Sequence, residues 1–271
     1  MFNLSPIEFW VSAYAVLLSV VEAVRATGKL RHLWKTRHLR KVWGIKDGEY
    51  VIVVCSELNE PAARQHVEPR EFIYSLKYGD VDAYFEVLVT LLRLYPSIKM
   101  RVISAGEVEA TRVDLSRHLI VIGGPDYNAL AERVLSWQQT QFEYRSPYVS
   151  KCSSQHPEEI ALYHKGKQLE YCHLTDENDF GYFERLPNPH NPKSQIIMIG
   201  GCHTIGVTGA IKAFSMAESE DGKMPTSVLN NAALVAERIG KSRKFSVLTE
   251  VERIGQTVSV PLIREDCITV L

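Results

Sequence analysis

The stretch Gln195-Ile-Ile-Met-Ile-Gly-Gly-Cys-His-Thr-Ile-Gly-Val-Thr-Gly-Ala-Ile-Lys-Ala-Phe214 decides the fold. Ile196 to Ile199 are consecutive apolar residues, the mark of a strand buried on both faces. Gly200-Gly201 is a sharp exit, and Val207 to Phe214 reads as a helix, so the whole is a strand–glycine turn–helix unit. The N–H groups of the first helical turn have no partner inside the helix, and they face the carboxyl end of the strand. Glycine lets the backbone approach a guest closely. An anion or a nucleotide suits that place. The spacing Gly201-x4-Gly206-Val207-Thr208 approaches a P-loop, but Val207 stands where the phosphate-gripping lysine belongs, which argues against an ATPase.

A second unit repeats the first in miniature. In His118-Leu-Ile-Val-Ile-Gly-Gly-Pro-Asp-Tyr-Asn128 the strand is Leu119 to Ile122, the turn is Gly123-Gly124, and the helix is Ala129 to Trp137, capped by Asp126 or Asn128. Tyr50 to Cys55 is a further apolar run of strand length, and Met100 to Ser104 reads as a second short strand. Between them, Asp80 to Tyr95 forms an amphipathic helix stopped by Pro96. Strands alternating with helices predict an α/β fold: a Rossmann-like, mostly parallel sheet with helices on both faces. Two glycine turns on one sheet edge predict a crevice for a nucleotide-like anionic ligand. The residues expected to line it are Gly123, Gly124, Asn128, Gly200, Gly201, His203, Thr204, Gly206 and Thr208. Glu57 and Glu60, in the loop after Cys55, are candidates for a ribose-hydroxyl acceptor or a general base. The plain alternative is that these glycines only turn the chain and these acids only start a loop.

From Gln141 to about Arg185 the pattern changes to short alternating runs, Phe142 to Arg145, Ile160 to His164 and Gln168 to His173. Lys165-Gly166-Lys167 turns between them, so a β-hairpin insertion is expected over about 141–192. Leu186-Pro-Asn-Pro-His-Asn-Pro192 reads as a rigid, exposed approach to the Ile196 strand. After it come a helix over Val228 to Ile239 and strands over Phe245 to Thr249 and Thr257 to Pro261.

The N-terminus differs in character. Ile7 to Ala26 is a long helical stretch, without charge from Phe9 to Val21. It reaches the roughly 20 residues of a bilayer span only with Glu8 and Glu22 at the interfaces. Arg25, Lys29, Arg31, Lys35, Arg37, Arg40 and Lys41 follow, a cluster that fits anionic head groups and the positive-inside rule. Because the charges follow the apolar run, it does not read as a cleaved signal peptide. Residues 1–45 are therefore expected to be an apolar helix plus a basic juxtamembrane helix, and 46–271 the ligand-binding domain. A single-pass or peripheral membrane protein with its body in the cytoplasm is expected, touching lipid through residues 7–41. An oligomerisation helix or a core helix are the alternatives.

Bulk composition excludes little else. The 271 residues carry 31 Lys plus Arg against 32 Asp plus Glu, so no global field points to nucleic acid. Five scattered cysteines without a C-x-x-C pair read as reduced thiols. Nine histidines include no H-x-x-x-H spacing, so no metal site is expected. Cys202 and His203 are adjacent, and so diverge instead of forming a thiol–imidazole pair.

A polar loop after the first strand, a second glycine-rich loop and an apolar N-terminus together resemble the nucleotide-sensing and nucleotide-processing domains of prokaryotic defence systems, the CARF, SLOG and TIR groups. The resemblance implies a membrane effector, acting as a homo-oligomer, that responds to a nucleotide signal in antiviral defence. It carries over no catalytic pattern beyond Glu57. Three readings follow from the sequence. The first is an anchored sensor of a nucleotide-like ligand, the second an enzyme acting on NAD or a nucleoside with Glu57 as its carboxylate, and the third a non-catalytic interaction protein.

Overall fold

In the computed structural model the described residues are 30–57, 78–137, 140–145, 161–169, 178–216, 224–255 and 257–271, with 19, 22 and 26–28. They belong to two compact units, Met1–His38 and Leu39–Leu271. In the first, Arg37 lies 4.3 Å from the ring centroid of Trp34, whose indole is 66% exposed. The apolar stretch 7–26 lies almost wholly outside the described residues. Among the described residues, no helix is long and apolar enough to cross a membrane.

The elements in chain order begin with α1 (Arg37–Trp43), β1 (Tyr50–Cys55), α2 (Tyr78–Leu94), β2 (Lys99–Ser104), α3 (Ala105–Ala110), β3 (His118–Ile122) and α4 (Ala129–Trp137). There follow β4 (Phe142–Arg145), β5 (Ala161–His164), β6 (Lys167–Gln168), β7 (Asn178–Asn188) and β8 (Asn191–Gly201). The chain closes with α5 (Thr204–Lys212), α6 (Thr226–Ile239), β9 (Phe245–Ile254), β10 (Thr257–Val258) and β11 (Ile268–Val270).

One large sheet runs in the order β10-β9-β7-β8-β3-β1-β2, with β11 also on β9. Strands β8, β3, β1 and β2 are parallel; β7, β9, β10 and β11 add antiparallel. The architecture is thus mixed α/β, not mostly parallel as expected. The difference arises at β7. Residues 178–188, read as part of the insertion, run the length of the main sheet against β8. The proline-rich piece that looked like an exposed approach is the turn of this hairpin. What remains of the insertion among the described residues is a small antiparallel sheet, β4-β5-β6. Its Lys165-Gly166 turn has both residues at positive φ, as a two-residue hairpin needs.

Period-two alternation along the strands splits the core into two layers. Val51, Val53, Ile120, Ile122, Ile197, Ile199 and Phe183 face α2, α5, α6 and the Leu39–Trp43 part of α1. Ile52, Val54, Leu119, Val121, Ile196, Met198 and Tyr182 face α3, α4 and the small sheet. Helices therefore cover both faces. Leu39, Val42, Trp43 and Ile45 are all buried, so the core begins seven residues before the expected boundary at Lys46 (46 − 39 = 7). Trp43 lies edge-on to Phe183 and donates from Nε1 to the Phe214 carbonyl at 3.2 Å.

Two consecutive charges on β7, Glu184 and Arg185, were invisible as strand residues because an apolar run is the usual sign of a central strand. They point to opposite layers, and both are buried. Arg185 donates to the carbonyls of Lys41 (2.6 Å), Val42 (2.8 Å), Ser242 (2.8 Å) and Arg243 (3.2 Å), and its guanidinium lies 4.6 Å from the Phe245 ring centroid. These bonds satisfy carbonyls at the end of α1 and clamp the loop before β9 to the sheet. Gly44, at φ 63°, must be glycine, since a Cβ would meet Arg185 Nη1 at 2.5 Å and Gln195 Nε2 at 2.8 Å. Gln195 in turn donates to the Trp43 carbonyl at 2.6 Å.

Glu184 accepts from the Gln141 N–H at 3.0 Å through Oε1, while Oε2 is buried without a hydrogen-bond partner. Burial pushes its pKa from the ordinary 4.5 to about 7. Between those values the folded state holds a proton that the unfolded chain has released, so stability falls as pH rises, by about 3 kcal/mol over the window. In Glu184→Gln, urea unfolding should lose this slope, and the variant should exceed the parent in stability above the window. Removal of residues 1–45 should unfold the domain. Trp43→Ala alone should cost about 3–5 kcal/mol in the same measurement.

Candidate functional site

The carboxyl ends of β1, β3 and β8 lie side by side, and there the two glycine turns meet. The N–H of Gly123 donates to the Ile199 carbonyl at 2.9 Å, which locks the first turn onto the strand that leads into the second. Gly123 sits at φ 95°, and a Cβ there would strike the Ser56 hydroxyl and come within 2.8 Å of Asp80 Oδ2. Asn128 accepts from the N–H groups of Leu130 (3.1 Å) and Ala131 (3.3 Å), so it is the cap of α4. Its Nδ2 reaches back to the Ile122 carbonyl at 2.9 Å. Gly123 and Asn128 therefore build the floor of the edge.

Above this floor lies a narrow crevice. Its walls include Asp80 from α2, Gly124 and Asp126 from the β3 turn, and Gly201, Cys202, His203 and Thr204 from the β8 turn. Tyr144 of β4 also lines it. The hydroxyl of Tyr144 donates to Asp126 Oδ2 at 2.8 Å, and its ring stands 3.5 Å from where a Gly124 Cβ would be. Burial first, and then the neighbouring Asp126 carboxylate, hold the Tyr144 phenol well above its ordinary pKa, so it stays a donor. The space left is about 10 Å³, room for about one water.

The start of α5 is not vacant. Asp179, on β7, accepts from the N–H groups of Gly206 (2.6 Å) and His203 (3.1 Å) through Oδ2, and from Phe180 N–H (2.8 Å) through Oδ1. The protein's own carboxylate thus occupies the position in which the sequence suggested a foreign anion. Burial outweighs the three donors and raises the Asp179 pKa above its ordinary value. The glycines serve this close packing. A Cβ on Gly206 would strike the Phe180 carbonyl, and one on Gly201 would meet the Val207 nitrogen at 2.6 Å. Gly200 faces the Tyr182 ring in the same way.

Of the expected ligand residues, Gly124, Gly201, His203 and Thr204 come together in the crevice, whereas Gly123, Asn128, Gly200 and Gly206 support it from behind. Thr208 faces elsewhere, into a groove between α2 and α5 that Phe85, Val89 and Lys212 also line. Glu57 does not face the crevice. Its Oε2 accepts from the Gly106 N–H at 2.8 Å at the start of α3, and its own N–H donates to the Tyr127 carbonyl at 2.7 Å. Glu60 lies outside the described residues. Sequence reasoning missed Asp80, Asp179 and Tyr144 as parts of one place; the first reads as an ordinary helix start and the others as hairpin residues. Among the described residues, no group of three His, Cys, Asp or Glu side chains could hold a metal ion.

With Asp80 and Asp126 in its walls and the helix starts already capped, the crevice favours groups that donate hydrogen bonds, hydroxyls above all, over a bare phosphate. No protein-family model matches the chain, and neither does any curated protein sequence.

Replacing Asp179 by alanine would leave the first-turn N–H groups of α5 without their acceptor, at a cost of about 1–3 kcal/mol. Chemical denaturation of Asp179→Ala should read that loss, and amide exchange at His203 and Gly206 should speed up in step.

Proposed function

We propose that this chain is a sensor of a nucleotide-like ligand, built on a Rossmann-like domain and held at a membrane surface by its apolar and basic N-terminal segment. The observation that carries the reading is the convergence of both glycine turns on one crevice at the carboxyl ends of β3 and β8. The parallel order β2-β1-β3-β8 supports it, since in sheets of this order ligands bind where the crossovers diverge, here between β1 and β3, and Asp80 on the helix after β1 lines the same crevice. The ligand's sugar hydroxyls donate to Asp80 and Asp126, and its phosphate end lies outward beside the half-buried His203 and Thr204. Tyr144 occupies the ligand's place until binding swings it aside, and that movement passes through β4 to the small sheet. A sensor of this build, acting as a homo-oligomer, matches the defence effectors that the sequence resembles. The NAD-processing alternative loses support, because the Glu57 carboxylate is engaged at α3.

Thermal unfolding of the full-length chain against nucleosides, mononucleotides, dinucleotide cofactors and cyclic oligonucleotides tests the reading. A ligand at a hundredfold its Kd should add about 2.7 kcal/mol. Asp126→Asn and Gly124→Ala should each weaken the effect roughly tenfold, the second because its methyl group narrows the crevice at a distance the fold tolerates. A stabilising ligand indifferent to both changes would place the site elsewhere, and a panel without any hit would sink the sensor reading.

A further inference from the structure

The opposite edge of the sheet carries a larger and differently charged cavity. Where β1, β2, β3 and β8 begin, Glu49, Tyr50, Lys99, Arg117, His118 and Lys193 line an open space of about 510 Å³, within the range of small-molecule sites. Lys99 and Lys193 make no ion pair among the described residues. Arg117 spends its Nε on Asp114 at 3.0 Å, and its guanidinium lies 5.8 Å from the Tyr50 ring centroid. The one acid in the wall is already committed: Glu49 Oε2 accepts from the Lys46 N–H at 2.8 Å and lies 3.2 Å from His118 Nε2. His118 is 8% exposed, and its Nδ1 has no hydrogen-bond partner.

The wall is built and not merely crowded. Asn188 Nδ2 donates to the carbonyls of Leu115 (2.7 Å) and Arg117 (2.8 Å), and Asn191 Nδ2 to the Ser116 carbonyl (3.0 Å) and the Ser194 hydroxyl (2.9 Å). Asn191 Oδ1 accepts from the Lys193 N–H at 3.1 Å. Arg243 adds bonds to the carbonyls of Pro192 (2.6 Å) and Lys193 (3.1 Å). The β7–β8 turn and the segment before β3 are therefore pinned together. The backbones that carry Lys193 and Arg117 cannot drift apart, which lowers the ordering cost of binding.

We propose that this amino-edge cavity is a second ligand site, which takes a phosphate mono- or diester group between Lys99, Lys193 and Arg117, with Tyr50 as its aromatic wall. Three cationic side chains outnumber the one acid in the wall, which is engaged by the Lys46 N–H, so the cluster attracts an oxyanion, and the guanidinium can offer its remaining N–H groups to phosphate oxygens. The same chemistry comes from a free phosphorylated metabolite or from a phospholipid head group.

The test compares full-length protein with Lys99→Ala/Lys193→Ala, two exposed changes that leave the core intact, and with a Lys167→Ala/Lys241→Ala control of equal charge. Glycerol phosphate binding is followed by calorimetry and by the His118 imidazole resonance. Vesicles of phosphatidylcholine, with and without phosphatidylserine, are followed by flotation. The expected result is a roughly tenfold or greater loss in the first variant and none in the control. Loss confined to glycerol phosphate assigns a soluble ligand; loss confined to the anionic vesicles assigns a head group. If both variants match the parent with both probes, or fall equally, the proposal is overturned.

Discussion

A buried carboxylate at a helix start sets the geometry of this domain. Asp179 draws the N–H groups of Phe180, His203 and Gly206 onto two oxygens, and thereby fixes where α5 begins and how closely it lies on β7. The approach is tight enough that Gly181 faces the Gly206 carbonyl and Gly201 faces the Val207 nitrogen, each with no room for a Cβ. Burial of such a charge is costly, and the helix dipole and three donors offset part of that cost in this turn geometry. In the turn so held, His203 and Thr204 line the crevice. Preorganisation of the candidate site is thus a by-product of how a charge is housed.

The same hairpin organises the other end of the molecule. Arg185, six residues along β7, has no carboxylate partner among the described residues and is satisfied by four carbonyls from α1 and from the loop before β9. Burial lowers its pKa to about 10, which leaves it charged at neutral pH. Because the guanidinium reaches both sides, the end of the basic N-terminal stretch becomes part of the core. At the tip, Asn188 and Asn191 shape the amino-edge cavity. Strands β7 and β8 therefore reach from one candidate site to the other, about 30 Å at the usual rise per residue. The two edges have opposite electrostatics: carboxylates and a tyrosine at one, lysines, arginine and open space at the other.

Much of this was legible in the chain. Three apolar strands, two glycine turns and the helices after them follow from runs such as Leu119 to Ile122 and Ile196 to Ile199, whose hydrophobicity leaves no choice but burial on both faces. The Lys165-Gly166 hairpin was equally readable, since its turn chemistry is local. Strand β7 was not, because its central Glu184 and Arg185 are stabilised by partners 43 and 58 residues away that no window of sequence contains.

The sequence by itself determined an α/β domain in which paired glycine turns share an edge, because strand burial and glycine turns are local consequences of side-chain chemistry. Only the tertiary structure decided what those turns do. Asp179 caps the helix from another strand, Tyr144 reaches Asp126 in the crevice from the small sheet, and Glu57 bonds to α3. Each outcome is a pairing between segments distant in the chain, settled by which buried donors and acceptors can reach one another once the sheet has formed.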